Sequence, residues 1–203
     1  MAAPLSLPSP AGNPTQRSGR DRQMSEERRA ELLVLPYASV RKRSLTHVLI
    51  EEFRSNSWTR FRAAVAFARA SANTRELLEA LYDFAKSQGE IGITFGADSF
   101  GEDAQGSDEL AVRQLLDRLE SFPNAKLFLY HEQGRVFHPK VYLFDNLTSK
   151  KALAIIGSSN WTRSGQINNV EANAIVPLDL NRDDELKQFE ELNRCFIENW
   201  SEP

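Results

Sequence analysis

The order of helical and strand-like patterns along the chain most constrains the fold that it can adopt. A helical pattern begins after Ser44, residues 60–68 have the apolar alternation of a strand, and residues 73–89 form an amphipathic helical pattern. A second strand pattern covers 91–97, and a polar loop over 100–109 leads into another helical pattern. Such alternation favours parallel strands with helices packed on the sheet.

The second half of the chain is instead a run of strand-like segments joined by short turns. Four of them precede a final helical pattern over 183–200, and they cover 125–132, 135–145, 151–160 and 170–178. We therefore expect an α/β fold with a mixed β-sheet flanked by α-helices, and we find no internal repeat.

The N-terminal segment differs in composition from the rest. Residues 1–30 are rich in Pro, Ser, Gly and Arg and hold too few apolar side chains to form a core, so we expect a disordered basic tail there. The length then predicts one domain over residues 31–203. Because the chain carries a net charge of −3, binding to a nucleic acid would need a local groove or the basic tail. A solvated tail without a partner is the alternative.

The sequence lacks membrane and secretion signals. No apolar run approaches the roughly 20 residues that span a bilayer, and the first residues do not have the pattern of a signal peptide. We expect no membrane association and a cytoplasmic location. Cys195 is the single cysteine, so an intrachain disulfide and a cysteine zinc cluster are excluded.

The strongest chemical signal is the segment FHPKVYLFD. His138 and Lys140 stand two residues apart on the predicted strand and so share one face, with Pro139 directed away. A phosphodiester needs a nucleophile and positive charge on its oxygens, and an imidazole beside an ammonium supplies both. Proline in the middle of a strand is locally unfavourable, a conflict that tends to occur at functional sites.

A second signal is the segment IIGSSNWTRSG, where Ser158 and Asn160 also stand two residues apart and offer a hydroxyl and an amide to phosphate oxygens. Gly157 has no side chain to block a ligand. Glu171 lies in an apolar strand pattern, where burial is costly without a partner such as histidine or lysine. Taken singly, these features also occur on solvated strand faces and in ordinary turns.

Together, the residues resemble the signature of the phospholipase D superfamily, H-x-K-x-x-x-x-D followed by G-S-x-N. Here it reads His138, Lys140 and Asp145, then Gly157-Ser158-Ser159-Asn160, and the resemblance covers roughly residues 44–200. Asn169 and Glu171 match the N-x-E of the nuclease-like branch. The resemblance implies a phospholipase D-like fold with one motif per chain. Strand parity places Asp145 on the face opposite His138, so we interpret Asp145 as structural.

The resemblance also implies a shared active site, because proteins of this superfamily use two copies of the motif. His47 and His131 lack a lysine two residues later, so this chain contains one copy and a homodimer is expected. In that site His138 of one chain would form a phosphohistidine and His138 of the other would act as acid and base. Lys140, Ser158 and Asn160 would bind the phosphate, and Glu171 would orient the imidazole. We expect no metal and no other cofactor.

The segment between Asp145 and Gly157 is longer than in the duplicated enzymes and resembles DNA-cleaving members. The resemblance therefore implies an endonuclease acting on DNA, with RNA as an alternative. Four basic residues are candidate DNA contacts: Arg135, Lys150, Lys151 and Arg163. Trp161 either stacks a base or packs in the core. Two other readings stay open, a dimeric nucleic-acid-binding module with little turnover and a phospholipase-type phosphodiesterase.

Overall fold

A mixed sheet of seven strands organises the part of the protein that the structure describes. The computed structural model describes residues 30–35, 43–97 and 107–200. The strands are β1 Glu31–Leu35, β2 Arg60–Val65, β3 Glu90–Gly96, β4 Ala125–Tyr130, β5 Lys140–Asn146, β6 Lys151–Gly157 and β7 Glu171–Asp179. They lie side by side in the order β1-β7-β6-β5-β2-β3-β4.

Four α-helices of the described residues pack on the sheet, and three of them begin at a side-chain cap. They are α1 Leu45–Arg54, α2 Arg75–Lys86, α3 Glu109–Leu119 and α4 Asp183–Arg194. Ser44, Thr74 and Asp108 each accept a hydrogen bond from a backbone N–H of the first turn. The helix predicted after Ser44 is therefore confirmed, together with its cap. No described helix has the length and apolar character that a membrane crossing requires.

Strand direction follows the two halves of the sequence. β2, β3 and β4 pair in parallel, as the strand–helix alternation predicts, because each crossover contains a helix. A short turn joins β5 to β6, whereas the connection from β6 to β7 contains the π-helical turn Ser164–Asn168. β5, β6 and β7 pair antiparallel, and β5 also pairs antiparallel with β2. As a result β2, β3, β4 and β6 finish at the end of the sheet where β5 and β7 begin. We call this the site end.

Both faces of the sheet are covered by apolar side chains. One face packs against α1, α2 and α3, and it includes Phe61, Tyr142 and Phe144. The other face packs against α4 and the turn after it, and it includes Val141 and Leu143. Neighbouring residues of β5 thus enter opposite layers, as the pleat of a strand requires.

Asp145 lies on the α4 side of the sheet, which confirms that it faces away from Lys140. Its carboxylate is 1% exposed and forms ion pairs of 3.0 Å with Arg60 and 2.8 Å with Arg62. Burial lowers the pKa of Arg62 in spite of the attraction of Asp145. The guanidinium of Arg62 also contacts Asn193 of α4 and lies over the ring of Phe196. Asp145 therefore connects two sheet strands to the packing of α4.

Several predicted boundaries are wrong. Residues 135–139 are not strand, because Gly134 turns the chain with a φ of +81° and Pro139 has no N–H for a ladder bond, so His138 precedes β5. The strand predicted to reach residue 68 ends at Val65. The last helix becomes a π-helical turn at Cys195–Trp200.

β1 is a strand that the sequence did not predict, and it extends the sheet by pairing antiparallel with β7. The disordered tail predicted for residues 1–30 lies outside the described residues except at Ala30, and most of the polar loop predicted at 100–109 also lies outside them.

Replacing Asp145 with Asn should lower the free energy of unfolding by about 3 kcal/mol, because it leaves the buried Arg62 guanidinium without its counter-ion. Urea unfolding followed by circular dichroism measures this. The matched control is Asp117→Asn, which changes an exposed carboxylate of α3. Equal stability of the two variants would contradict a structural role for Asp145.

Candidate active site

The polar residues of both sequence motifs meet at the site end of the sheet. Lys140 opens β5 opposite Val65, the last residue of β2. Gly157 closes β6 opposite Asn173 of β7. Because β5 lies between β2 and β6, the two motif segments emerge side by side although they are distant in sequence.

His138 and Lys140 are in direct contact. The Lys140 Nζ atom lies 2.8 Å from each ring nitrogen of His138 and 3.1 Å from its carbonyl oxygen. An ammonium only donates, so which ring nitrogen can accept from it depends on the tautomer of the imidazole. The neutral imidazole is the form that can act as a nucleophile. His138 is exposed, whereas Lys140 is 8% exposed. The pair therefore presents a reactive ring to solvent above a buried cation.

Two opposing influences act on the charge of Lys140. Burial lowers the pKa of Lys140 below its usual value, and the negative charge of Glu171 partly offsets this by raising it. Glu171 is half-buried at the start of β7. The sequence predicts a basic partner for Glu171, and the charge of Glu171 does act on Lys140.

The hydrogen bonds of Glu171 go to polar neighbours. Ser158 donates its hydroxyl to Oε2, and Asn169 donates its side-chain amide to Oε1 over 3.1 Å. The Ser158 hydroxyl also accepts the backbone N–H of Ala172. Ser158 is consequently fixed beside Glu171 at the exposed end of β6, and an orienting effect of Glu171 on the imidazole stays a prediction.

Asn173 holds the turn after β6 and was missed in the sequence. It is buried, its Oδ1 accepts the backbone N–H of Ser159 over 3.3 Å, and its Nδ2 donates to the Ser159 hydroxyl over 2.8 Å. Gly157 is needed at the start of this turn, since a Cβ there would collide with the carbonyl oxygen of Ala172 and with Asn173. An alternating polar residue in β7 was the available signal, but its partner could not be identified from spacing.

Asn160 reaches across to the segment that follows β2. Its Oδ1 accepts the backbone N–H of Phe67 over 3.1 Å, so its Nδ2 is the group left to donate to a phosphate oxygen. The next residue, Trp161, is fully buried, and its indole N–H donates to Asn73 over 2.8 Å. Trp161 therefore packs in the core, and the alternative that it stacks a base is wrong.

The four basic candidates do not lie together. Arg135 and Arg163 are exposed on the segments that precede β5 and follow β6, and Arg135 pairs with Glu132 over 3.1 Å. Lys150 and Lys151 lie at the turn between β5 and β6, which is the opposite end of both strands and about 20 Å from the site end. This placement separates Arg135 and Arg163, beside the motif segments, from the two lysines, and their contact with DNA stays a prediction.

The described residues contain no group of three or more His, Cys, Asp or Glu side chains that could hold a metal ion. The groups at the site are instead an imidazole, an ammonium, a hydroxyl and an amide. They can supply a nucleophile and several hydrogen-bond donors to a tetrahedral anion.

One protein family matches most of the chain. The family model described as "Cardiolipin synthase, PLD-like domain" matches residues 49–200. No curated protein matches this chain in a sequence search.

Solved structures share the fold at low sequence identity. NucT from Helicobacter pylori superposes with a TM-score of 0.54 at 17% identity, over 86% of this chain and 99% of that chain. Nuc from Salmonella typhimurium, a phospholipase D family member, gives 0.53 at 15% identity, over 83% and 93%. Phosphatidylserine synthase from Haemophilus influenzae gives 0.59 at 13% identity, over 85% and 39%. The predicted phospholipase D-like fold, a mixed sheet with flanking helices, is confirmed.

Replacing Gly157 with Ala should lower the free energy of unfolding by about 1–3 kcal/mol, because the added methyl group forces β6 and β7 apart at Ala172. Thermal unfolding measures the effect. Gly92→Ala is the control, since its Cβ would meet only the Arg62 side chain at an ordinary 3.5 Å. A Gly157→Ala protein as stable as the Gly92→Ala protein would contradict the close approach.

Replacing Glu171 with Gln should lower the pKa of Lys140 further, because it removes the neighbouring charge that raises it. NMR titration of the lysine ε-carbons, with Lys140→Arg for assignment, follows the change. Glu120→Gln, at the exposed C-cap position of α3, is the matched control. A pKa that stays constant or rises in Glu171→Gln would show that the carboxylate does not act on Lys140.

The lowered pKa of Lys140 also makes the stability of the protein depend on pH. Since the folded pKa of Lys140 lies below the usual 10.5, the unfolded chain binds the proton more tightly. The stability of the protein relative to Lys140→Met should therefore rise as the pH increases from the lowered pKa toward that of the unfolded chain.

Proposed function

This chain belongs to the phospholipase D superfamily, and from that premise we propose that it is a metal-independent phosphodiesterase, an endonuclease that cleaves DNA through a phosphohistidine. The contact between the exposed His138 ring and the buried Lys140 ammonium is the observation that carries the proposal. It supplies a nucleophile and a cation at one point, where the Asn160 amide adds a donor and the Ser158 hydroxyl adds another when its proton turns from Glu171 to the phosphate.

The reaction has two displacements at phosphorus. A ring nitrogen of His138 attacks the phosphodiester, an N–P bond forms, and the bond from phosphorus to the leaving oxygen breaks while an opposed acid protonates that oxygen. The same group, now a base, removes a proton from water, which attacks phosphorus and releases the imidazole. Lys140 and Asn160 stabilise the charge on the non-bridging oxygens, and Ser158 joins them when its hydroxyl proton turns from Glu171 to the phosphate. Glu171 supports the charge of Lys140.

The opposed acid is proposed to be His138 of a second copy, because the other two histidines are badly placed. His131 follows β4, which lies three strand spacings from β5, or about 14 Å. His47 lies at the start of α1, where its Nδ1 is 2.7 Å from the Ser44 hydroxyl. A homodimer with an isologous interface would bring the two His138 rings to a shared site.

DNA is the proposed substrate, and RNA is the nearest alternative. NucT and the phospholipase D family member Nuc share the fold along nearly their whole lengths, and Arg135 and Arg163 lie exposed next to the motif segments. A lipid phosphodiester is the second candidate, favoured by the description of the matching family as a cardiolipin synthase domain.

His138→Ala should reduce cleavage of labelled single- and double-stranded DNA in EDTA at least about a thousand-fold, because the nucleophile is lost. Gel electrophoresis of the products measures the rate, and His131→Gln serves as the control histidine at the same end of the sheet. Rapid acid-free quenching of the wild-type reaction should capture a base-stable covalent adduct, in which a DNA fragment is joined to the protein through an N–P bond, and this adduct should be absent from His138→Ala. Sedimentation at several concentrations measures the size of each protein.

The outcomes separate the candidates. If the folded wild-type dimer does not cleave DNA, and if wild type and His138→Ala bind DNA equally well, the protein is a nucleic-acid-binding module and not a nuclease. Turnover of cardiolipin or phosphatidylglycerol vesicles without DNA cleavage would establish the lipid phosphodiesterase. Full activity in a protein that stays monomeric would refute the shared site.

A further inference from the structure

Phe67 lies at the junction of the two motif segments, just beyond the end of β2. Its ring and that of His138 have centroids 6.1 Å apart and planes inclined by 76°, an edge-to-face arrangement. We propose that Phe67 is a positioning residue that holds the His138 imidazole in its attacking orientation. This inference rests on the proposed function and names a residue that neither sequence motif contains.

The backbone of Phe67 is fixed by the second motif segment. Its N–H donates to Asn160 Oδ1 over 3.1 Å, and its carbonyl oxygen accepts the N–H of Trp161 over 3.1 Å. The preceding Ala66 donates its N–H to the carbonyl oxygen of Pro139 over 2.9 Å. The backbone around Phe67 is thus hydrogen-bonded to Pro139 through Ala66 and to Asn160 directly. These bonds fix the position from which the Phe67 ring projects.

His138 needs such a surface because its own chain gives it little restraint. It precedes β5 and is exposed, so neither the strand ladder nor core packing fixes its side chain. The Lys140 Nζ atom lies at the same 2.8 Å from both ring nitrogens and therefore does not select the one that faces phosphorus. A contact with the edge or face of an aromatic ring depends on the plane of the imidazole, so the Phe67 ring can hold that plane.

The oxygen and the nitrogen of the Asn160 side chain have different roles. The oxygen holds Phe67, and through Phe67 it holds the imidazole, whereas the amide N–H groups are left for phosphate. Phe67 is half-buried, so part of its ring faces the same exposed space as His138. The competing role for this open part is stacking against a nucleic-acid base.

Phe67→Leu should lower kcat roughly 10- to 100-fold with KM little changed, because a displaced nucleophile costs rate and not binding. The substrate is methyl p-nitrophenyl phosphate, which contains no base and has a leaving group that needs little help from an acid. Phe67→Tyr, which keeps the ring, should recover most of kcat. Phe122→Leu is the matched control, since Phe122 is also half-buried and makes an edge-to-face contact, with Tyr82 at 5.1 Å, at the opposite end of the sheet.

Two kinetic outcomes would overturn the proposal. Phe67→Leu with the same kcat as Phe122→Leu would show that the ring does not orient the nucleophile. A rise in KM for DNA alone, with turnover of the small substrate unchanged, would assign Phe67 to base stacking instead.

Failure of the proposed function is recognised separately, by a wild-type protein that cleaves neither DNA nor the small phosphodiester. The ring contact is then tested by carbon–proton NMR of the three histidine rings, with His138→Ala for assignment. The His138 ring protons should carry a ring-current shift that disappears in Phe67→Leu and persists in Phe122→Leu. Spectra that are identical in wild type and Phe67→Leu would overturn the positioning role without reference to activity.

Discussion

The antiparallel pairing of β5 with β6 is the constraint on which the rest of the site depends. With Val141 opposite Ile156, the first residue of β5 and the last residue of β6 must lie at the same end of the sheet. Any shift of this register by one residue would exchange the two faces of a strand that is buried on both sides. The pairing of both strands with outer neighbours, β2 and β7, prevents that shift and so fixes the distance between Lys140 and Gly157.

β5 carries two buried charges, and the sheet separates them. Asp145 is balanced by Arg60 and Arg62 on the α4 side, a closed arrangement in which each charge has a partner. Lys140, on the other side, has no carboxylate within ion-pair distance among the described residues, and Glu171 only partly offsets its burial. A cation left incompletely compensated is costly for folding, and it is also the cation best able to attract a phosphate. The two charged ends of β5 thus serve stability and binding respectively.

The fold was predictable where local pattern and pairing agree. The strand–helix alternation in residues 60–122 requires parallel pairing, and the structure has it. β1 was missed because a five-residue segment with four apolar residues, beside a polar segment, becomes a strand only through its partner β7, a contact that no local pattern contains. Residues 135–139 are predicted as strand together with the apolar segment that follows them, although Gly134 and Pro139 disrupt the backbone there.

The site was predictable only as a set of reactive groups. His138, Lys140, Ser158 and Asn160 were identified because their spacing repeats within each motif, and the structure brings them together. Their supports are non-local: Asn173 braces the turn after β6, and Phe67 connects the two motif segments. Spacing within a motif cannot reveal a residue that joins two other segments, because its partners lie far from it in the sequence. The orientation of the reactive ring therefore depends on the folded sheet, even though the chemistry of the ring is evident from the sequence.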